Sequence, residues 1–257
     1  MFHGRTQPPT NKAIIAFKLT IKTAIQRITV PVVMALVITN VFLSGQPAIA
    51  FQFDQNVPGD LQKQFTADVD FVKSVELANP TPLHLEIYQG PGGPSYFDFF
   101  NTRVEKVGLN SCGDPNAVAC VIPWYGSSAI WLSPNYTKFA HPQIARLMII
   151  FHETRHTESR NSNWPHAVCP NPFLDSQGRE IKSIWTGAAL AGKDGCDSTH
   201  LGAYASTVIM MKNIERSCKT CTEKVKMDAG IYGSDQFNRV VNSVAKGKIK
   251  KDLGLFL

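Results

Sequence analysis

Hydrophobic positions change their spacing several times along the chain, and each change predicts an element. Residues 59–78 carry Leu61, Phe65, Val69, Val72 and Val75 at helical spacing, which predicts a helix. From Leu83 to Tyr88 apolar and polar residues alternate, as in a half-buried strand. Gly90-Pro91-Gly92-Gly93-Pro94 reads as a turn. Two β-like runs follow, Val118–Trp124 and Ala129–Leu132, joined by a Tyr-Gly-Ser-Ser turn. A helix then fits His141–Thr157, with Pro142 in its first turn. Residues 158–199 lack a period, and so long a loop inside a domain is usually functional or pinned. A further helix is expected over His200–Ser217. Glu223–Ala245 reads as amphipathic helix broken near Gly230–Gly233. Helices outnumber strands and the strands come first. The expected fold class is therefore α+β, a mainly helical single domain with a small sheet preceding helix 141–157.

Charge adds an address. The net charge is +6, but Arg5, Lys12, Lys18, Lys22 and Arg27 all precede residue 51, where no acidic residue occurs. The rest of the chain is nearly neutral, which removes the electrostatic case for a nucleic-acid partner. The basic stretch is followed by an apolar run, Val30–Leu43, and then by Ala48-Ile49-Ala50, an A-x-A cleavage pattern. This order predicts a signal peptide over residues 1–50, cleaved after Ala50, and a mature domain over 51–257. The apolar run is short for a membrane span of about 20 residues, so no stable span is expected after cleavage. An exported protein follows: periplasmic, envelope-associated or secreted. All six cysteines lie after the leader, and an even count in an exported chain predicts disulfides. Proximity suggests Cys112–Cys120 and Cys218–Cys221, leaving Cys169–Cys196. A zinc site on Cys218-x-x-Cys221 would lack its second cysteine pair.

The chemistry concentrates in His152-Glu153-Thr154-Arg155-His156, an H-E-x-x-H sequence. Positions i and i+4 of a helix lie about 6 Å apart along the axis and about 40° apart around it, so two imidazoles can close on one ion. Zinc takes such ligands at about 2.0–2.1 Å. Glu153 is turned about 100° from His152, which suits a general base acting on a zinc-bound water better than a ligand. On these five residues, with the apolar helical segment Ile144–Phe151 before them, the chain resembles the zincin-type metallopeptidases. The resemblance implies Zn2+ as cofactor, a peptide or protein substrate, and Glu153 as catalytic base. Thr154 and Arg155 depart from the zincin pattern, which commonly has an apolar and then an uncharged residue there. If Arg155 is not solvated, pairing with an acidic group would hold the helix.

A catalytic zinc normally has three protein ligands and an open position. The metzincin spacing puts Ser162 where a histidine would stand. A gluzincin arrangement would call on Glu215. An aspzincin one would call on Asp197, with Gly202 and Tyr204 beyond it. The local candidates are His166, ten residues after His156 and past a polar turn, Asp197 and His200. A Cys169–Cys196 bridge would draw the His166 and Asp197 segments together. Asp197 is also good capping sequence for the helix that follows. Tyr204 is a candidate hydrogen-bond donor to a developing oxyanion. Asp194 or Asp228 would be the carboxylates orienting a ligand imidazole. Trp124, Tyr125, Trp131 and Tyr136 are expected in the core rather than in a cleft. The leading expectation is a zinc-dependent hydrolase, a peptidase. The alternative is a disulfide-stapled binding protein with a structural or vestigial metal site, recognisable by a closed four-ligand sphere.

Overall fold

Short strands organise the first half of the described residues. A computed structural model describes residues 51–90 and 93–254; the predicted signal peptide and its cleavage point lie outside the described residues. Strands β1 (Gln52–Phe53), β4 (Lys106–Leu109) and β6 (Ser127–Leu132) pair in parallel, and β5 (Ala119–Ile122) adds antiparallel to β6 at the edge. In β6 four consecutive residues, Ala129–Leu132, are buried, the pattern of a strand covered on both faces. Helix α1 (Gly59–Phe71), continued by a 3-10 turn, belongs to the crossover from β1 to β4. Its Phe65 meets Phe51, Phe53 and Phe100 within about 5–6 Å.

Leu83–Tyr88 is helical, correcting the expected strand: α2 spans Pro82–Tyr88. Thr81 accepts the His84 N–H and Pro82 holds the first helical position. The buried residues His84, Ile87 and Tyr88 stand at i, i+3 and i+4. In so short a run both periods fit, and the cap decides. Gln89–Gly90 (β2) and Gly93–Pro94 (β3) then pair as a small antiparallel ribbon. A helix without a long apolar period, α3 (Tyr96–Asn101), follows. The turn between β5 and β6 is itself a single helical turn, α4 (Pro123–Gly126). It exposes Trp124 (89%) and Tyr125 (68%), contrary to the core expectation, whereas Trp131 and Tyr136 are buried.

After α5 (Pro134–Lys138) comes the central helix α6 (Gln143–His156), buried nearly all round. It packs against β5, β6, α1, α7 (Ala203–Ser217) and α8 (Glu223–Asn238). Helix α8 runs unbroken through Gly230 and Gly233, correcting the predicted break. Both glycines lie against α7: a Cβ at Gly233 would meet the Met211 Cβ at 2.9 Å, and one at Gly230 would meet the Glu215 carboxylate. These glycines mark close helix packing, and the chain turns instead at 239–242, before α9 (Ser243–Asp252). Residues 157–202 remain mostly irregular, as expected. They hold only a 3-10 turn and the two-strand ribbon of β7 (Ala167–Val168) and β8 (Asp194–Cys196) among named elements. The disulfides are Cys112–Cys120, Cys169–Cys196 and Cys218–Cys221. The protein is α+β, and no described helix is long and apolar enough to cross a membrane.

Candidate metal centre

Helix α6 carries His152 and His156 on one side, a turn apart, with their Nε2 atoms 3.2 Å from each other. The third member arrives by a sharp reversal. Ser162, Asn163 and Trp164 all adopt left-handed backbone conformations, with φ of 53°, 58° and 47°. Three such non-glycine residues in succession are costly and persist only when their surroundings over-determine them. They do here. Asn163 Nδ2 donates to the His156 carbonyl at 2.7 Å, and Trp164 Nε1 donates to Glu158 at 2.8 Å. The reversal feeds β7, which pairs with β8 and is clamped by Cys169–Cys196. His166 therefore points its Nε2 at both helix imidazoles, 3.2 Å from His152 and 3.1 Å from His156.

Hydrogen bonding alone cannot satisfy this triangle. A ring nitrogen facing its neighbours either carries a proton or a lone pair. Among three nitrogens at least two are alike, so two protons or two lone pairs must face each other. One ring is fixed by its outer contact. His156 Nδ1 donates to the Asn163 carbonyl at 2.7 Å, which leaves the lone pair on Nε2, pointing inward. His166 Nδ1 faces Asp197 Oδ1 at 3.5 Å, too long for a hydrogen bond but toward a carboxylate. Burial, reinforced by the neighbouring imidazoles, pushes the His152 pKa well below 6.5 and that of His156 down to about 4. Both rings are thus held in the neutral, ligating form. Edges of 3.1–3.2 Å are close to the ~3.4 Å edge of a tetrahedron with bonds of 2.0–2.1 Å. The three imidazoles can hold a metal ion. His152 Nδ1 is buried without a partner among the described residues.

Around the triangle the expected residues separate. Glu153 is buried, and burial raises its pKa to about 8 against a backbone hydrogen bond from Val121 on β5. Tyr204, in the first turn of α7, places its ring 4.3 Å from that of His152 and stacks on His166 at 4.8 Å. A cleft of about 190 Å³ is lined by His152, Glu153, His166 and Tyr204 together with Ala119 of β5. Asp197 does not join the triangle, correcting its candidacy as a ligand. Its Oδ2 accepts the Ala205 N–H at 2.9 Å, capping α7 from outside while Oδ1 faces His166. A Cβ at Gly202 would overlap that carboxylate, so glycine there lets Asp197 reach the first turn, and the helix starts at Ala203 rather than at His200. His200 lies outside the triangle. Glu215 pairs with Lys212 at 2.8 Å and packs over Gly230, away from the cleft.

The orienting groups also differ from expectation. The Asn163 carbonyl and Asp197 face the outer nitrogens, whereas Asp228 pairs with Lys224 and Asp194 is exposed on the cleft wall. Arg155 is buried and bonded to Glu158, as the pairing expectation had it. Thr154 is buried and returns its hydroxyl to the Ile150 carbonyl at 2.7 Å. These contacts accommodate the two departures from the zincin pattern. One cleft residue had no sequence signal at all. Arg239, just past the end of α8, donates Nη1 to Tyr204 Oη at 2.9 Å. It reaches the cleft because Asp197 N–H donates to its carbonyl and Val241 N–H donates to the Asp197 carbonyl. Compared with known proteins, the chain matches no protein-family profile, no curated sequence and no solved structure.

Proposed function

We propose that this chain is an exported, zinc-dependent hydrolase that acts on peptides. The observation that carries the reading is the three-imidazole triangle with a buried carboxylate, Glu153, opening on the same cleft. Three imidazole nitrogen donors near tetrahedral spacing suit zinc better than the harder, oxygen-seeking cations. Bound there, zinc would polarise a carbonyl and favour ionisation of water. The three disulfides fit an oxidising compartment.

The chain's own groups have distinct tasks. Glu153 takes the proton from the attacking water and passes it to the departing amine. Its raised pKa suits both halves of that exchange near neutral pH. Tyr204 Oη accepts from Arg239, so its own O–H stays free to donate to oxygen that gains charge in the reaction. Among the described residues the edge strand β5 pairs with β6 alone, and it borders the cleft through Ala119. An extended peptide can align along such an edge. The alternative of a closed structural site is not favoured, because Asp197 is engaged in capping and no fourth ligand joins the triangle among the described residues.

Elemental analysis of the purified protein tests the reading. One zinc per chain is expected, with loss in His152→Ala/His156→Ala. Glu153→Gln should keep the metal and lose hydrolysis of a mixed peptide library. Unchanged zinc in the double variant, or full activity in Glu153→Gln, would overturn it.

A further inference from the structure

Two well-anchored arginines, half-buried Arg146 and buried Arg155, engage all three guanidinium nitrogens, whereas buried Arg239 does not. Arg146 forms a two-point pair with Asp68, at 2.6 and 2.8 Å, and donates to the His141 carbonyl. Arg155 gives Nη1 to Glu158 and both Nε and Nη2 to the Leu201 carbonyl. Arg239 is comparably buried, at 7% exposure, but among the described residues its guanidinium makes a single hydrogen bond, to Tyr204 Oη. Its Nε is buried with no acceptor. The nearest carboxylate, Asp235, stands 3.9 Å from Nε and already accepts from Gln236 Nε2 at 2.9 Å. An arginine has five N–H donors, and leaving them unfilled in a buried setting is costly. The residue is held in place, because its carbonyl accepts from Asp197 N–H, the Val241 N–H beyond it donates to the Asp197 carbonyl, and its guanidinium lies 4.8 Å over the Tyr204 ring.

We infer that Arg239 is the carboxylate-binding residue of the cleft, so that the preferred substrate presents a carboxylate beside the bond to be cut. The planar fork of a guanidinium matches a carboxylate at two points, which a neutral amide cannot reproduce. Two sources share that chemistry, a peptide's terminal carboxylate and an Asp or Glu side chain. The other charges on the cleft wall are Lys193, exposed, and the exposed acids Asp114 and Asp194, besides buried Glu153. Arg239 is the only buried cation among them. This inference rests on reading the cleft as the peptidase site.

The test is a binding measurement that does not depend on turnover. Three hydroxamate-capped dipeptides serve as probes, because a hydroxamate chelates an accessible zinc whether or not peptides are cut. One ends in Leu-Gln amide, one in Leu-Gln with a free carboxylate, and one in Leu-Glu amide. Dissociation constants are measured on the zinc-loaded full chain. At least one carboxylate probe should bind ~10–100-fold more tightly than the neutral probe. The terminal and side-chain probes separate the two sources. That preference should vanish in Arg239→Gln and survive in Lys193→Gln. Arg239→Lys, which keeps the charge, should retain part of it. Equal binding of all three probes to the wild type, failure of all three to bind, or a preference lost with Lys193 would overturn the inference. A peptide library left uncut while the carboxylate preference stands would instead count against the peptidase reading alone.

Discussion

Helix α6 has two polar faces that solve burial in opposite ways. Behind it, a hollow of about 640 Å³ is lined by Arg103, Arg155, Glu158 and Trp164. There Glu158 accepts from Arg103, Arg155, Asn161 and Trp164 at 2.6–3.1 Å. Burial would raise the Glu158 pKa, but Arg155, Trp164 and Arg103 outweigh it and hold it below the ordinary value. On the other face, beside a cleft of about 190 Å³, three imidazole nitrogens meet in a triangle that their own protons cannot satisfy, and His152 Nδ1 and Arg239 Nε lack partners among the described residues. The larger hollow is the quieter one. Its central charges, Arg103, Arg155 and Glu158, are paired within the protein. The smaller cleft is bordered by polar groups without partners among the described residues, and the proposed function rests on that unmet demand more than on volume.

The largest effect that would expose this difference is on the satisfied face. Glu158→Ala strips Arg155 and Arg103 of their shared partner. Removing one member of a buried pair typically costs about 3–5 kcal/mol. Chemical unfolding of metal-free protein should show a loss of that size. A loss below about 1 kcal/mol would mean that the hollow is wet enough to solvate the arginines, and the contrast between the faces would fail.

Much of this was legible in the chain, for reasons that differ by residue. His152, Glu153 and His156 lie within one helical turn, so spacing alone reports their geometry. The cysteine pairs followed from proximity in sequence, and Cys169–Cys196 from what was left. His166 remained one of several candidates because its position depends on the left-handed run Ser162–Trp164, and no residue there is glycine, the usual sign of such backbone. Asp197 was read both as ligand and as cap, and competition for one carboxylate is decided only by where α7 begins. Leu83–Tyr88 misled because six residues satisfy two periods. Trp124 and Tyr125 misled because residue type reports average burial, while a protruding turn is set by tertiary structure. Arg239 was invisible, since a bridge between Asp197 and Val240 brings it to the cleft from far along the chain.

A smaller effect separates a lone buried histidine from the triangle. Burial lowers the His84 pKa from 6.5 to about 4, and Tyr96 Oη lies 3.3 Å from its Nδ1. Between those values the unfolded chain binds a proton that the native ring refuses. The stability associated with His84 is therefore complete above about pH 6.5 and is lost as pH falls toward 4. At about 1.4 kcal/mol per unit the window spans ~3 kcal/mol. Urea titrations of zinc-loaded protein at several pH values should show the slope, and His84→Gln should flatten it by about that amount. An unchanged slope in the variant would place the acid sensitivity elsewhere. In metal-free protein His152 and His156 should steepen it with the same sign, because burial lowers their pKa values too.

The smallest effect is the most discriminating. In metal-free protein His166→Ala removes one of three nitrogens whose mutual contacts cannot all be hydrogen bonds, along with a 3.5 Å contact to Asp197 that is not a hydrogen bond. Relief of that crowding offsets lost packing, so unfolding free energy should change by no more than about 1 kcal/mol, the range of a substitution that breaks no satisfied network. The same substitution should abolish the stabilisation that zinc confers on the wild type, which mass action puts at about 4 kcal/mol when zinc is a thousandfold above its dissociation constant. A residue of little consequence to the empty protein and of large consequence to the zinc-loaded one is there for the ion. If His166→Ala instead costs as much as Glu158→Ala before any metal is added, the triangle is structural and both faces of α6 serve the same end.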